Sequence, residues 1–311
     1  MPGKARVLRQ WRRRTTQKTG AGRTRPTVAV MTVARDEAVM LPRWVDYYGS
    51  QVGVENLVVI DDNSVDGSTE DLPCPVLHIP GFGQKGFEAR RVRLVSGLAA
   101  GLLQAYDVAI FVDADEFLVP DPDRYDGLKD FLRQRQHDVI APLAFNVVHH
   151  VGAEGPLRPG QPVLGQRRLA KFAPVMCKPS MKRIDAPWAA ASHGVRAPYD
   201  VDPGVFMMHL KFADRDLLQD VADRRNALAE QDGRGSNASW RFSGDAMVEV
   251  LERSVQGVDL DAVPDFDPSG VDLAGLVIQE GEVWRAPGPG HLMIMERQPL
   301  VKIPRRLHGA V

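Results

Sequence analysis

Two aspartates separated by one residue follow an apolar run in the first half of the chain. Asp113 and Asp115 come directly after residues 108–112, in the sequence FVDADEF. Two carboxylates at one strand end can converge on a single divalent cation, and hard oxygen ligands suit Mg²⁺ or Mn²⁺. Aspartate is also common in turns, but the apolar strand predicted before this pair favours a metal site.

A second acidic turn follows another apolar run. Residues 57–60 lead directly into Asp61 and Asp62, and the turn-forming residues DGST follow at 66–69. A carboxylate at a strand end can accept hydrogen bonds from a ribose or a base. A plain strand–turn–helix connection suits the same composition equally well, so both interpretations stay open at this point.

The elements that must position these acids alternate between strands and helices. The predicted strands are 27–34, 57–60, 76–79 and 108–112. The predicted helices are 36–49, 86–106 and 214–231. Continuously apolar strands are typical of a parallel sheet covered by helices on both faces. Because ligands bind at the carboxyl ends of such strands, we expect the two acidic turns to line one crevice.

Two segments resemble the family 2-like glycosyltransferases of the GT-A fold. Residues 32–69 read TVARDEAVMLPRWVDYYGSQVGVENLVVIDDNSVDGST, and residues 107–120 read DVAIFVDADEFLVP. The longer motif D-x-D-E-F is similar to that of a bacterial subgroup of the family. The resemblance implies an α/β, Rossmann-like fold with an open, mostly parallel sheet, helices on both faces and an irregular C-terminal extension.

The resemblance also implies a nucleotide-sugar site built from several strand ends. Asp61 and Asp62 look like nucleoside contacts. Arg35 and Glu37 fall at the end of the first strand, where the family also lines the nucleotide pocket.

The metal and the diphosphate would be held further along the chain. Asp113 and Asp115 match the family's metal motif, and Asp113 would also meet the sugar-nucleotide diphosphate. His209 is implied as a third metal ligand. Lys211, on the same side of a predicted strand, would contact the diphosphate.

A transfer in a single displacement needs a group that accepts the proton of the acceptor hydroxyl. The sequence does not choose among four candidates for this base. They are Glu116, Asp185, His193 and Asp202.

Other polar and aromatic residues receive more ordinary interpretations. His149 and His150 are adjacent and would point to opposite faces of a strand, so we expect them at the surface. Lys178 fits a phosphate contact and a solvated face about equally well. Trp44 and Tyr48 lie at helical spacing, which is typical of core residues.

Composition and charge define the class of protein and its divisions. The chain is 44% hydrophobic and 25% charged, which excludes disordered, collagen-like and disulfide-scaffold classes. Its two cysteines cannot form a zinc site alone. Residues 1–26 contain nine basic and no acidic side chains. We expect a disordered basic arm at 1–26, a GT-A domain at 27–232, and an extension at 233–311 that is irregular or packed on the core.

The charge pattern also suggests a location and partners. No uncharged apolar stretch approaches the roughly 20 residues that span a bilayer. We expect a cytoplasmic protein whose basic arm is a solvated tail, and the alternative is that the arm holds the protein at the inner face of the membrane. The remainder of the chain is acidic, which argues against a nucleic-acid partner.

The predicted function is metal-dependent sugar transfer. The donor would be a nucleotide-sugar, a UDP-sugar by resemblance, and the cofactor Mn²⁺ or Mg²⁺. The acceptor would be a hydroxyl of a glycan, lipid-linked or protein substrate, and the resemblance favours inversion, in glycan or polysaccharide biosynthesis. One alternative is a sugar-1-phosphate nucleotidyltransferase, which usually has a glycine-rich loop after the first strand, whereas here the first glycine after it is Gly49. The other is a non-catalytic nucleotide-sugar-binding module, against which the intact D-x-D argues.

Overall fold

A large mixed sheet forms the centre of the computed structural model, which describes residues 25–83, 86–232 and 238–311. The strands of the first half are β1 (Val28–Ala34), β2 (Leu57–Asp61), β3 (Val76–His78), β4 (Val108–Phe111), β5 (Glu116–Pro120) and β6 (Val139–Val148). Those of the second half are β7 (Leu169–Phe172), β8 (Met181–Lys182), β9 (Trp188–Ala189), β10 (Gly194–Val195), β11 (Asp200–Phe212), β12 (Ile278–Glu280), β13 (Val283–Arg285) and β14 (Leu300–Lys302). The helices are α1 (Met40–Val52), α2 (Phe87–Leu102), α3 (Leu128–Gln134), α4 (Arg215–Asp232), α5 (Gly244–Val255) and α6 (His291–Arg297).

The sheet has a parallel part and an antiparallel part. Strands β3, β2, β1 and β4 lie side by side in parallel. Beyond β4, the short β8 runs antiparallel between β4 and β6, while β11 lies parallel to β6 and antiparallel to β5. Strands β9, β10, β12 and β13 form a separate small sheet. The predicted α/β class with a parallel central sheet is confirmed.

Helices cover opposite faces of the parallel part because neighbouring residues of β1 point to opposite sides. Val30 belongs to the cluster that contains Trp44 of α1, whereas Met31 belongs to the cluster that contains Val95 of α2. Trp44 and Tyr48 are fully buried, so the prediction that these aromatic residues are core residues is confirmed.

Helix α1 begins four residues later than predicted. The segment after β1 forms a turn, in which Asp36 has a φ of 53° and its carboxylate accepts a hydrogen bond from the Val65 backbone N–H at 2.8 Å. The Ser68 hydroxyl accepts one from the Glu37 N–H at 3.2 Å. The acidic turn after β2 thus holds residues 36 and 37 out of the helix and at the edge of the sheet.

The C-terminal segment contains more regular structure than the sequence suggests. Helix α5 packs on α4, with Met247 and Leu251 in one cluster with Leu218. Strand β14 joins the edge of the main sheet, where Leu300 pairs with Lys171 of β7. This part of the chain therefore packs against the core.

The expectation that His149 and His150 lie at the surface is wrong, since they are only 4% and 8% exposed. His149 Nδ1 accepts a hydrogen bond from the Arg215 backbone N–H at 3.1 Å, and its Nε2 donates to the Glu154 carbonyl at 2.9 Å. His149 therefore caps the start of α4 and ties it to the end of β6.

Most of the basic arm, residues 1–24, lies outside the described residues, so its disorder and its attraction to a membrane stay predictions. Among the residues that are described, no helix combines the length and apolar character needed to cross a bilayer.

Candidate active site

A cleft opens at the carboxyl ends of β1, β2 and β4, the edge where open α/β sheets bind ligands. Its walls come from the turn after β1, the start of α2, the D-x-D segment after β4, and α4. We name this cavity the first lobe. Its polar and aromatic lining residues are Arg35, Asp36, Glu37, Asp62, Phe87, Glu88, Arg91, Asp113, Asp115, Arg224, Arg225 and Trp240.

A smaller cavity adjoins it, and we name it the second lobe. Glu37, Asp115, Val221, Arg225 and Trp240 line both cavities and so form the boundary between them. The residues that line the second lobe alone are Met40, Leu210, Lys211, Leu217, Leu218, Ala222 and Met247.

Asp113 is held by two cations at the floor of the cleft. Arg91 Nη1 lies 2.8 Å from Asp113 Oδ1, and Lys178 Nζ lies 3.7 Å from Oδ2. Lys178 also pairs with Glu116 at 2.7 Å, and Glu116 accepts the Asp113 backbone N–H at 2.9 Å. Lys178 and Glu116 are 2% and 1% exposed, so the interpretation of Lys178 as part of a solvated face is wrong.

Burial and pairing act in opposite directions on the pKa values of these acids. Burial would raise the pKa of Asp113, but Arg91 and Lys178 together hold it well below its ordinary value. Burial also raises the pKa of Glu116, and there Lys178 offsets only part of the effect. Asp113 is therefore a fixed anion whose charge is already balanced within the protein.

Asp115 pairs instead with a histidine from the adjacent strand β11. His209 Nε2 lies 3.3 Å from Asp115 Oδ2, because β11 places His209 opposite Glu116 of β5 and Asn146 of β6. His209 Nδ1 donates to the Asn146 side-chain oxygen at 2.8 Å. Because Nδ1 holds its proton for Asn146, loss of the proton from Nε2 would leave a lone pair there that can bind a cation. Burial would raise the pKa of Asp115, but His209 outweighs it, and the pKa lies below its ordinary value.

The Asp115–His209 pair could hold a metal ion. Adjacent ligands of an octahedral Mg²⁺ with bonds of roughly 2.1 Å are about 3 Å apart, close to the observed separation of these two side chains. Across the described ranges, no three His, Cys, Asp or Glu side chains gather closely enough to form a metal site by themselves. The remaining ligands of a cation here would have to be water and substrate oxygens, which suits Mg²⁺ or Mn²⁺.

Glu37 and Lys211 lie near Asp115, and both carry shifted pKa values. Burial raises the pKa of Glu37 to about 7, although Arg225, whose Nη2 lies 3.6 Å from the carboxylate, lowers it in part. Burial, and then the nearby charge of Arg225, lower the pKa of Lys211 to about 8. A register shift interrupts the pairing of β11 with β6 between His209 and Phe212, and Lys211, within that interval, lines the second lobe and not the first.

The predicted nucleoside contacts divide into two groups. Arg35 lines the first lobe and donates to the Asp62 carbonyl at 3.1 Å. Asp62 also lines the first lobe. Asp61 instead accepts the Ser64 N–H and bonds His78 Nδ1, both at 2.8 Å, and is not a lining residue. Asp61 therefore shapes the turn that presents Asp62.

Two of the four candidate bases lie at the wrong end of the sheet. Asp202 is at the start of β11, where it pairs with Arg135 at 3.0 Å. Asp185 is exposed and follows β8, whose Lys182 pairs with Ala109 near the start of β4. Both positions are at the amino ends of β4 and β6, opposite the cleft, so we correct the expectation that either is the base.

The other two candidates lie near the floor of the cleft without lining it. Glu116 is engaged by Lys178. His193 Nδ1 donates to the Val175 carbonyl at 2.9 Å. Burial, and then the charge of Lys178, lower the pKa of His193 to about 4, so its ring is neutral at physiological pH.

Several cleft residues were not predicted. Arg91 belongs to α2 and Arg225 to α4, where a charge pattern alone suggests a solvated face. Trp240 lies against both Phe87 and Arg225, at 5.9 and 5.7 Å. Arg91 lies near the start of a helix that follows a strand, at the edge of the sheet where ligands bind. A basic residue at such a position is a sequence signal that could have identified Arg91 as a cleft residue.

No protein-family model matches the chain, and no curated protein matches it. Three solved structures show limited similarity. A mannosyltransferase from Pyrobaculum calidifontis, in complex with GDP-Man and Mn²⁺, is 18% identical over 47% of this chain and 43% of that chain, with a TM-score of 0.28. A mycobacterial protein is 18% identical over 42% and 44%, with a TM-score of 0.29. Glucosyl-3-phosphoglycerate synthase from Mycobacterium tuberculosis, in complex with Mn²⁺, UDP and glucosyl-3-phosphoglycerate, is 17% identical over 41% and 50%, with a TM-score of 0.28. The similarity thus spans half or less of each of these solved chains.

Proposed function

We propose that this chain is a metal-dependent glycosyltransferase that moves a sugar from a nucleotide-sugar, of the UDP type, to a hydroxyl acceptor. One observation carries the proposal: Asp115 and His209 form a pair suited to a divalent cation at the boundary between two lobes of one cleft. At such a boundary two substrates can meet beside one metal ion. A transferase needs this arrangement, whereas a protein that only binds a nucleotide-sugar does not.

The first lobe suits the nucleoside diphosphate. Asp62 and Arg35 at the end of β2 and β1 offer polar contacts to a base or ribose, and Phe87 adds an aromatic surface. Arg224 and Arg225 of α4 line the same lobe and would attract phosphate oxygens.

Asp115 and His209 would hold Mn²⁺ or Mg²⁺, and a bound ion would neutralise the negative charge that develops on the departing diphosphate. Asn146 fixes the ring of His209 through Nδ1, so that Nε2 is presented without rearrangement. Asp113 holds Arg91 at the floor of the same lobe, where the guanidinium can orient a phosphate group.

Glu37 is our choice for the proton acceptor. It lines both lobes, so it lies where a donor in one lobe and an acceptor in the other would meet. Its pKa of about 7 matches the working range of a general base at neutral pH.

Calorimetric titration with UDP, GDP and dTDP, with and without Mn²⁺, tests the proposal. We expect UDP to bind with Mn²⁺ and to lose at least tenfold in affinity when Asp115→Asn or His209→Ala removes a ligand. Asp185→Asn is the matched control, because that exposed carboxylate lies at the other end of the sheet. Nucleotide binding that ignores Mn²⁺ and both variants would refute the metal assignment, and the absence of any nucleotide binding would refute the function.

A further inference from the structure

The second lobe differs in chemistry from the first. Its wall is made of aliphatic side chains from α4 and α5 and from the start of α1, among them Leu217, Leu218 and Met247. Lys211 is the basic residue that this lobe does not share with the first. A mainly apolar pocket with few convergent polar groups is the usual form of a site for a small organic molecule.

Lys211 also differs from three other cations around the cleft. Arg91, Lys178 and Arg225 each have a carboxylate partner within 4 Å. For Lys211 the described residues provide neither a hydrogen bond nor an ion pair, and its ammonium is 5.6 Å from the centre of the Phe212 ring. Lys211 is partly open to the cleft and otherwise surrounded by protein.

An ammonium enclosed by protein without a partner is destabilising. A polar or charged ligand can remove that penalty by supplying the missing partner. The lobe therefore combines an apolar wall with a cation that has no partner among the described residues, and an entering negative group would supply one.

We propose that the second lobe binds the acceptor, and that this acceptor is an amphipathic hydroxyl compound whose carboxylate or phosphate pairs with Lys211. The inference rests on the proposed function and names the substrate class of its second site. The apolar part of the acceptor lies against Leu217 and Leu218, and its hydroxyl reaches the boundary beside Glu37. This assignment replaces the expectation that Lys211 contacts the donor diphosphate, because Lys211 does not line the first lobe.

The probes are three six-carbon compounds that share one chain: hexanol, hexanoate and hexyl phosphate. Each is titrated into the full chain with and without saturating UDP and Mn²⁺. A charge-assisted hydrogen bond in an enclosed site is worth roughly tenfold or more in affinity, so we expect both anions to bind at least about tenfold more tightly than hexanol. The better of the two anions identifies the charged group of the natural acceptor.

Variants separate this role from a structural one. Lys211→Met should abolish the preference for the anions, change UDP affinity less than twofold, and raise the Tm of the ligand-free protein, because it removes an unpartnered charge. Lys211→Arg should retain the preference, and Arg253→Met, an exposed change on α5, should leave all three properties unchanged.

Equal binding of hexanol and the anions would overturn the inference. So would a Lys211→Met variant that loses UDP affinity, because Lys211 would then serve the donor, or one that has a lower Tm and an unchanged anion preference. A failure of the proposed function would look different, since UDP would not bind the unaltered protein while the anions could still be tested without nucleotide.

Discussion

Replacing Lys178 with methionine should destabilise the protein by about 3–5 kcal/mol, the usual cost of leaving a buried charge without its partner. Lys178 and Glu116 are almost fully buried, and their charged atoms are 2.7 Å apart. Asp113 would also lose a cation 3.7 Å away. Methionine has nearly the same length as lysine, so the loss would come from the charges and not from a cavity.

A double-mutant cycle isolates this effect. Glu116→Gln alone leaves Lys178 beside Asp113, so its cost should be smaller than that of Lys178→Met. Combined with Lys178→Met, Glu116→Gln should restore most of the stability, because it removes the carboxylate that had lost its partner. The remaining carboxylate beside residue 178 is Asp113, which is still paired with Arg91.

Urea denaturation at pH 7 measures each free energy of unfolding. Arg253→Met is the control, because an exposed substitution of this kind changes stability by roughly 0.5 kcal/mol or less. A Lys178→Met variant within 1 kcal/mol of the unaltered protein, or a double variant that is no more stable than Lys178→Met, would refute the reasoning.

Three further predictions concern pH, metal binding and the core. Burial raises the pKa of folded Glu37 from 4.5 to about 7, so its contribution to stability is complete below about pH 4.5 and is lost as the pH rises through 7. The loss is at most about 3 kcal/mol. In urea denaturation, the free energy of unfolding of Glu37→Gln should therefore depend less on pH than that of the unaltered protein, and identical pH profiles would contradict this. Asn146→Ala should weaken Mn²⁺-dependent UDP binding roughly tenfold by freeing the ring of His209, with metal-free binding unchanged in calorimetry; an equal loss in both conditions would show a general disturbance of the site. Trp44→Ala should lower the free energy of unfolding by about 3–5 kcal/mol, and a loss under 1 kcal/mol would show that α1 does not depend on this contact.

The parallel half of the sheet could be predicted because its signals are local. Strands β1, β2, β3 and β4 each coincide with a short apolar run, and β4 is buried at all four positions. A strand covered on both faces needs apolar residues throughout. For the same reason the acidic residues that follow β4 could be placed at the edge of the sheet before the structure was known.

The remainder of the site depends on contacts between distant parts of the chain. Lys178 reaches Asp113 and Glu116 from a loop more than sixty residues later, and no local pattern distinguishes it from a surface lysine. Asp61 and Asp62 are adjacent and alike, but His78 on the neighbouring strand engages only Asp61. Asp202 lies on the same strand as His209, yet the length of β11 separates the two, with Asp202 at the opposite end.

The structure divides the tasks of the cleft between the sheet and the helices. Asp115, His209 and Asn146 are carried on or directly beside three adjacent strands, β5, β11 and β6, and are joined to one another by short contacts. A site supported in this way is held close to its working geometry.

The walls that would recognise the substrates are built differently. Leu217, Leu218 and Val221 belong to α4, and Arg225, also on α4, faces both lobes. Substitutions on this helix can change the shape and charge of either lobe without touching the strands that carry Asp115 and His209. The chemistry of the transfer should therefore be insensitive to changes at Leu217 and Leu218, which line the second lobe alone. Lys211 lines the same lobe but belongs to strand β11, so it connects acceptor recognition to the strands that carry the metal pair.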